Sequence, residues 1–488
     1  MHSTSTPTIK ASDAVTWIFC RRRMWLEFHQ PIRYDADPFM QLLSDAGLQH
    51  ERRILQQFQS DHVVQQAASF DDTRALMEEG VPVIYQARLK DYETGLVGFP
   101  DFLIRHENGF YQAADAKLTQ RENKKALQIQ LGMYRRLLGG QLPAVVFLGN
   151  GRTASIGCEV DMLVDEFIRD MRQLHTLSEQ PHVRYSHSRC RVCPYFSQCH
   201  TQFEASQDTS MLHGMHGRTA ELLAQAGIRT IAQLAAQVPE NIPDVPHLSS
   251  LKKKQRIVRQ AQSVLHDEIV QLNDISLPDG TWIHFDIEDN PMARTCDRHV
   301  YLWGLLAPPY SHDDFDYVWT DDETQDYTGW QAFLEKIEQY RAEHASLVIA
   351  HYSNHEKVII RKYAERYSMI DDGTVRWLLG LHGEAGPLFD IQNAVLDNLV
   401  LPVAGYGLKE ICKHPKLVNF QWELESSGSQ WSVVQFNRFQ KTTDEWTRQQ
   451  LKTELLTYNR DDVIATRKLE LWLRGFSNRE NVHTISPH

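Results

Sequence analysis

The sequence predicts an α/β protein in three parts. These are an N-terminal α/β domain over residues 1–205, a helical segment over 206–270 and a second α/β domain over 271–475, followed by a short tail over 476–488. Three observations carry this reading. Short apolar strand-like runs alternate with helical periodicity in two separate stretches, one around Phe102–Ala114 and one around Thr281–Ala350. The chain between them loses that alternation and reads as helix, glycine turn, helix. A length of 488 residues is enough for about three cores at about 150 residues each.

Composition narrows the function classes. The formal net charge of -12 argues against a protein that coats nucleic acid without selection. Any grip on phosphates must come from local basic runs such as Arg21-Arg22-Arg23, Arg135-Arg136 or Lys252-Lys253-Lys254, each of which taken singly is an ordinary solvated face. No apolar run of 18 residues occurs, which argues against a helical membrane span. The start, Met1 to Lys10, is polar and lacks an apolar signal core, so a soluble cytoplasmic protein with no membrane partner is expected.

In the first domain, Phe99, Phe102, Leu103 and Ile104 form an apolar strand, Glu107-Asn108-Gly109 a turn, and Phe110 to Ala114 a returning strand. Such a hairpin can bring Asp101 and Asp115 together, and alternation places Lys117 on the same face as Asp115. Two carboxylates able to hold a hard divalent cation, with a lysine beside them, make a hydrolytic nuclease constellation. An Asp-x-Lys alone is commonly a surface ion pair; here it has company. Gln130 and Tyr134 lie in a helical pattern with Leu127, Leu131, Leu137 and Leu138 on or near one stripe, and His50 follows Gly47 in another helical segment. His50, Asp101, Asp115, Lys117, Gln130 and Tyr134, in this order and spacing, resemble the PD-(D/E)XK nucleases of the RecB and AddB type. The resemblance implies a restriction-endonuclease-like fold with His50, Asp101 and Asp115 as Mg²⁺ or Mn²⁺ ligands. It implies Lys117 as the group that positions or activates water, and Gln130 and Tyr134 near the substrate. Asp115 stands where many members carry Glu, a change that keeps the carboxylate.

Seven cysteines in an expected cytoplasmic chain do not suggest disulfides. Cys190, Cys193 and Cys199 form a C-x2-C-x5-C run that needs a fourth thiolate. Cys20, before the nuclease core, is a better candidate than Cys158, because a group joining segments on both sides of the core would staple the domain shut. Four cysteines suit zinc and an iron–sulfur cluster alike. One Cys before the core and three after it is also the layout of the iron–sulfur subset of the RecB/AddB family, which includes exonucleases of CRISPR adaptation. That resemblance implies a [4Fe-4S] cluster on Cys20, Cys190, Cys193 and Cys199, with Cys158, Cys296 and Cys412 as ordinary thiols.

From Leu212 the chain reads as a helix, a turn at Gly227, and a second helix capped by Thr230. It resembles a helix-hairpin-helix motif, which presents backbone amides to a phosphate. The motif's second glycine falls on His216, with Gly217 next, so a packing hairpin is the competing reading. Lys252 to His266 is expected as a basic helix.

In the last domain, Thr281 to Glu288 is an apolar strand carrying Asp286 and Glu288 on one face. Two more strands, the helix Trp330–Tyr340 and the buried strand Leu347–His351 follow. Strand, strand, strand, helix, strand is the order of a ribonuclease H-like fold. Asp286-x-Glu288 resembles the opening motif of DEDD exonucleases, which hold two metal ions on four acids. Tyr458-x3-Asp462 on a helix resembles the tyrosine variant, implying Asp462 as a metal ligand and Tyr458 as the group that orients water. Where the superfamily usually places its middle Asp, this chain has Glu356 at a helix start. Asp390, Tyr406 and Lys409 echo fold and substrate-side positions, and Asp461 is expected to face solvent.

Nearly the whole chain is similar to a bacterial RecB-like nuclease family that joins an iron–sulfur nuclease domain to a ribonuclease H-like domain. The resemblance implies a metal-dependent, two-site DNase acting on single-stranded DNA in repair or defence. No Walker-type loop is present, so unwinding needs a separate helicase. The alternative is a nucleic-acid-binding adaptor to a helicase or processing complex, with one or both sites degenerate.

Overall fold

The computed structural model describes residues 7–34, 37–293, 298–311, 314–383, 385–424 and 428–477. The chain forms two compact units. One is Met1–Val183 with Cys193–Tyr195; the other is Arg184–Val192 with Phe196–His488.

In chain order the first unit runs β1 (Ile9–Lys10), α1 (Asp13–Phe19), α2 (Arg21–His29), α3 (Pro38–Asp61), β2 (Val64–Gln66), α4 (Phe70–Glu79), β3 (Val83–Tyr85), β4 (Leu89–Lys90) and β5 (Leu96–Gly98). It continues through β6 (Phe102–Arg105), β7 (Tyr111–Lys117), α5 (Lys125–Leu137), β8 (Ala144–Leu148), β9 (Thr153–Ile156) and α6 (Asp161–Thr176). Six strands form one sheet in the order β2-β3-β6-β7-β8-β9, and β1-β5-β4 form a small second sheet. The expected hairpin is present: β6 and β7 are antiparallel, with Phe102 opposite Ala114 and Leu103 opposite Ala113. β8 then pairs parallel to β7, so β7 is an interior strand, and its fully buried Ala114 and Asp115 are walled in on both sides. Helix α3 is unusual in what it buries: of its 24 residues the buried ones are His50 and Glu51, both polar.

The second unit contains α7 (His187–Cys190), α8 (Phe196–Ser206), α9 (Gly217–Gln225), α10 (Ile231–Ala235), α11 (Leu251–His266), β10 (Val270–Gln271), β11 (Thr281–Asn290), β12 (His299–Leu306), β13 (Phe315–Trp319), α12 (Asp326–Glu343), β14 (Leu347–His351) and α13 (His355–Arg366). It ends with α14 (Gly373–Leu379), β15 (Leu388–Asp390), α15 (Ile391–Asn398), β16 (Leu399–Val400), α16 (Leu408–Lys413), α17 (Ser429–Lys441) and α18 (Glu445–Ser477). The five-stranded sheet has the order β13-β12-β11-β14-β15. β12 is antiparallel to both neighbours, whereas β14 and β15 add in parallel. A core of Phe285, Trp303, Trp330 and Phe333 lies on one face of the sheet, and a second core, including Trp282, Ala465 and Leu469, lies on the other.

The helical segment has a core of its own and also packs against the C-terminal sheet. Its core of Leu223, Leu234 and Ile257 is its own, and Thr230 caps α10 through a capping box with Gln233. Yet buried Gln260 on α11 donates to Leu401 O at 2.8 Å and accepts from Tyr406 Oη at 3.0 Å. The segment therefore belongs to the same unit as the C-terminal sheet. Arg184 joins it too, pairing with Asp208 at 2.7 Å and Glu221 at 3.0 Å, so this unit begins before the expected boundary at 206.

Candidate active sites

In the first unit the hairpin locks two carboxylates across each other's strands. Asp101 N donates to Asp115 Oδ1 at 3.0 Å, and Ala116 N donates to Asp101 Oδ2 at 2.8 Å. Lys117 Nζ lies 2.7 Å from Asp115 Oδ2 and 3.9 Å from Asp101 Oδ2. Gln130 on α5 donates to Asp115 Oδ2 at 3.2 Å and to Tyr134 Oη at 2.7 Å, and Tyr134 Oη donates to Phe99 O at 3.0 Å. Five of the six expected residues thus meet. Burial, and then the Asp115 charge, push the Asp101 carboxyl well above its ordinary range. Burial works against the Lys117 charge, but Asp115 and Asp101 beside it win and hold the ammonium more firmly than usual.

His50 is buried but occupied. Its Nε2 lies 3.0 Å from Phe147 O and its Nδ1 3.3 Å from an Arg53 nitrogen. The neighbouring Glu51 joins the centre although no motif in the sequence marks it. It accepts from Tyr85 Oη at 2.7 Å, and its charge reaches both Asp101 and Lys117. Its one trace in the sequence is its place next to His50.

In the second unit, β11 presents Asp286 and Glu288, and α18 brings Tyr458 and Asp462 onto the same face of the sheet. Among the described residues, one group of three His, Cys, Asp or Glu side chains has ligand atoms all within 4.8 Å of one another: Asp286, Glu288 and Asp462. His50 with Asp101 and Asp115 is not such a group. Burial, then Asp462, Glu288 and Glu356, raise the Asp286 carboxyl well above its ordinary range. Burial likewise raises Glu288 and Asp462. Buried like charges that raise one another are the donor set a divalent cation relieves.

Glu356 sits in the first turn of α13, buried, with Oε2 3.3 Å from His351 Nδ1 and no hydrogen-bond partner on that oxygen. This orphaned oxygen and the three converging acids fit a metal centre. The acids are held by residues that sequence reasoning missed. Asn459 donates to Asp286 Oδ2 at 2.7 Å, Ser432 Oγ to Glu288 Oε2 at 2.6 Å, and Trp422 Nε1 to Asp462 Oδ1 at 2.7 Å. Lys409 Nζ lies 4.0 Å from Asp462 Oδ1 and 4.3 Å from the centre of the Tyr458 ring. Burial, and then the Asp462 charge, keep the Tyr458 phenol protonated far above its ordinary range. Asp390 serves the fold, capping α15 and accepting from Ser353 N at 3.1 Å. Asp461 corrects the expectation of a solvent-facing acid. It is 3% exposed and accepts from Glu423 N at 2.8 Å, because the chain before α17 folds back over that face of α18.

Residues 283–474 match the family model of the RNase_H superfamily. The C-terminal sheet is thus a ribonuclease H-like domain, and the matched range holds Asp286, Glu288, Glu356, Tyr458 and Asp462. Residues 167–272 match a domain of unknown function, DUF4332. No curated protein and no solved structure matches the chain.

The cysteines stand as follows. Cys20 caps α2, its sulfur accepting from Arg23 N at 3.5 Å. Cys190 ends α7 and accepts from Ser186 N at 3.3 Å. Cys193 and Cys199 are, like these two, half-buried. Cys158 is exposed, Cys412 is buried with its thiol pushed up by that burial, and Cys296 lies outside the described residues. No helix among the described residues is long and apolar enough to cross a membrane.

Proposed function

We propose that this protein is a metal-dependent nuclease that hydrolyses phosphodiester bonds of single-stranded DNA, in repair or defence, with an active site in each unit. The observation that carries the reading is the meeting of Asp286, Glu288 and Asp462 within 4.8 Å on a ribonuclease H-like sheet. Asp286, Glu288, Glu356 and Asp462 would hold Mg²⁺ or Mn²⁺, which when bound polarises the phosphate and activates water. Asn459, Ser432 and Trp422 fix the carboxylate orientations, as supporting hydrogen bonds do in metal sites. Tyr458, kept protonated, donates a hydrogen bond that orients the attacking water, and Lys409 supplies positive charge at the centre's edge.

In the first unit, Asp101 and Asp115, with His50 as the resemblance implies, would hold the ion. Lys117 positions water, and Gln130 and Tyr134 hold Asp115 on the substrate side. We assign Cys20, Cys190, Cys193 and Cys199 to a [4Fe-4S] cluster of structural role; the thiol donor set and the N–H bonds to sulfur at Cys20 and Cys190 support it. A separate helicase would supply single strands.

The second reading is an adaptor that binds nucleic acid without cutting it. It is favoured by Glu356 standing against His351. The deciding assay uses anaerobically purified protein, Mg²⁺ or Mn²⁺, and single-stranded DNA labelled at either end. It compares wild type with Lys117→Ala, Asp286→Ala and the double variant. Two sites are established if each single change removes a different part of the product pattern. Loss of all cleavage by Lys117→Ala alone leaves the C-terminal unit as a binding module. Binding without any cleavage of DNA or matched RNA establishes the adaptor.

A further inference from the structure

The first unit holds a cleft that the proposed chemistry does not use. It has a volume of about 990 Å³ and is bordered by Lys90, Tyr92, Leu96, Arg136, Arg169 and Arg172. Its acids are largely spent. Asp165 pairs with Arg136 at 2.7 Å, and Asp91 accepts from Glu93 N, Thr94 N and Thr94 Oγ1 within its own turn, which leaves Glu93. Lys90 and Arg169 are exposed and have no carboxylate partner among the described residues. Tyr92 is 68% exposed, a large aromatic surface left to water.

A row of side chains leads from this cleft toward the Asp101–Asp115–Lys117 centre. Lys90 Nζ lies 4.6 Å from the centre of the Tyr92 ring and 5.9 Å from that of Phe70. The Phe70 and Phe99 rings are 6.1 Å apart, and Phe99 is 44% exposed. Phe99 O accepts from Tyr134 Oη, which is bonded to Gln130 and through it to Asp115. Along the backbone the link is as short, because Leu96 walls the cleft and Asp101 lies five residues on, about 17 Å at most of extended chain. Gly98 keeps that path thin. A Cβ there would sit 2.7 Å from Tyr134 Cδ1 and 2.9 Å from Leu137 Cδ1.

We propose that the cleft and this row form the track along which a single nucleic-acid strand reaches the Asp101–Asp115–Lys117 centre, a proposal that rests on reading that centre as a nuclease site. Alternating aromatic faces and cations are how proteins hold single strands without sequence preference. Bases stack on Tyr92, Phe70 and Phe99 while phosphates meet Lys90, Arg169 and Arg172. A duplex, with its bases already stacked, gains nothing from the aromatic faces.

The test uses the full-length protein without divalent metal. Binding of fluorescein-labelled oligo(dT) is followed by anisotropy across a salt series for wild type, Tyr92→Ala, Lys90→Ala and Arg169→Ala. In parallel, an oligonucleotide carrying 5-iododeoxyuridine is photo-crosslinked and the adducts mapped by mass spectrometry, which reads the track even where the C-terminal unit also binds. The expected result is an adduct on Tyr92 or Phe99 that excess single strand removes and duplex does not. Tyr92→Ala should weaken binding roughly tenfold. Each lysine or arginine removed should flatten the salt slope by about 0.7. Adducts confined to other segments, with unchanged affinity in all three variants, overturn the track. The two readings fail separately. Lys117-dependent cleavage without adducts at Tyr92 or Phe99 sinks the track alone, and those adducts in a protein that never cleaves sink the nuclease reading.

Discussion

Gly304 on β12 lies directly opposite Asp286, and the reason it is a glycine can be tested. A Cβ at this position would stand 1.8 Å from Asn459 Oδ1 and 3.0 Å from Phe315 Cε2. Asn459 is fully buried, so it has no solvent to swing into, and its Nδ2 holds Asp286 Oδ2 at 2.7 Å. Gly304→Ala should therefore push the amide off Asp286. Overpacking of this kind costs roughly 1–3 kcal/mol, against which a strand alanine regains about 0.5–1 kcal/mol over glycine. Asn459→Ala costs roughly 1.5–3 kcal/mol by removing a hydrogen bond to a buried carboxylate. It also empties the space the new methyl needs. In that background Gly304→Ala should become neutral or stabilising.

A chain of two units does not unfold in one step, so the readout is hydrogen–deuterium exchange of the β11 and β12 amides. There about 1.4 kcal/mol of lost protection is a tenfold faster exchange. The middle of these ranges leaves a net cost of about 1.3 kcal/mol, so the expected pattern is roughly tenfold faster exchange for Gly304→Ala alone, and no further acceleration when it is added to Asn459→Ala. Equal effects of Gly304→Ala in both backgrounds would refute the account, because the glycine would then not be making room for Asn459.

Three further outcomes are expected. Buried Asp326 accepts from His299, Tyr363, Tyr367 and Arg366, and although burial opposes it, these bonds hold its carboxyl below the ordinary range. Its contribution to stability is present above the ordinary carboxylate range and is lost as pH falls through the depressed folded value; at neutral pH the amides of β12, α12 and α13 should exchange faster in Asp326→Asn than in wild type, and the difference should vanish in acid. Thr230→Ala removes the capping box of α10 and should cost about 1 kcal/mol, seen as faster exchange confined to α10 and its neighbours. Anaerobically purified protein should contain iron and acid-labile sulfide, and Cys190→Ser should lose both; zinc in place of iron would overturn the cluster assignment.

The strand-level organisation was legible because its signals are local. Period-two alternation and a glycine turn set the β6–β7 hairpin, and the order of apolar runs set the C-terminal sheet. Acids two or four residues apart announced themselves as pairs. What could not be read were the groups that hold those acids. Ser432 is 144 residues from Glu288 and Asn459 173 from Asp286, and neither carries a spacing that points at its partner. Asp461 was misread because helical spacing from Tyr458 and Asp462 locates one buried face of α18, whereas the loop at Trp422–Glu423 covers another. Glu51 was hidden for the opposite reason. On an amphipathic helix a polar residue is expected outside, yet on α3 the two polar neighbours are the buried ones, a pattern only tertiary structure exposes.

The two acid sites are neutralised differently, and this separates their need for metal. In the first unit Lys117 is 2.7 Å from Asp115 and 3.9 Å from Asp101, so the buried carboxylates already have a cation within the protein. In the second, three acids, Asp462, Glu288 and Glu356, crowd Asp286, and Lys409 pairs with Asp462 at the longer distance of 4.0 Å, its own charge weakened by burial. Unpaired buried charge is costly, so the second unit should gain more from a divalent ion. With metal at about 100 times its dissociation constant, a ligand that binds only the folded state adds about 2.7 kcal/mol. Exchange at β11 should slow roughly a hundredfold with Mg²⁺, and Asp286→Asn, which lowers the repulsion, should slow it without metal and blunt the response. Exchange at β7 should respond less, since an ion entering there must first displace Lys117 from Asp115. An Mg²⁺ response larger at β7 than at β11 would show that the lysine is no substitute for the ion, and that the four acids of the second unit are not its main metal site.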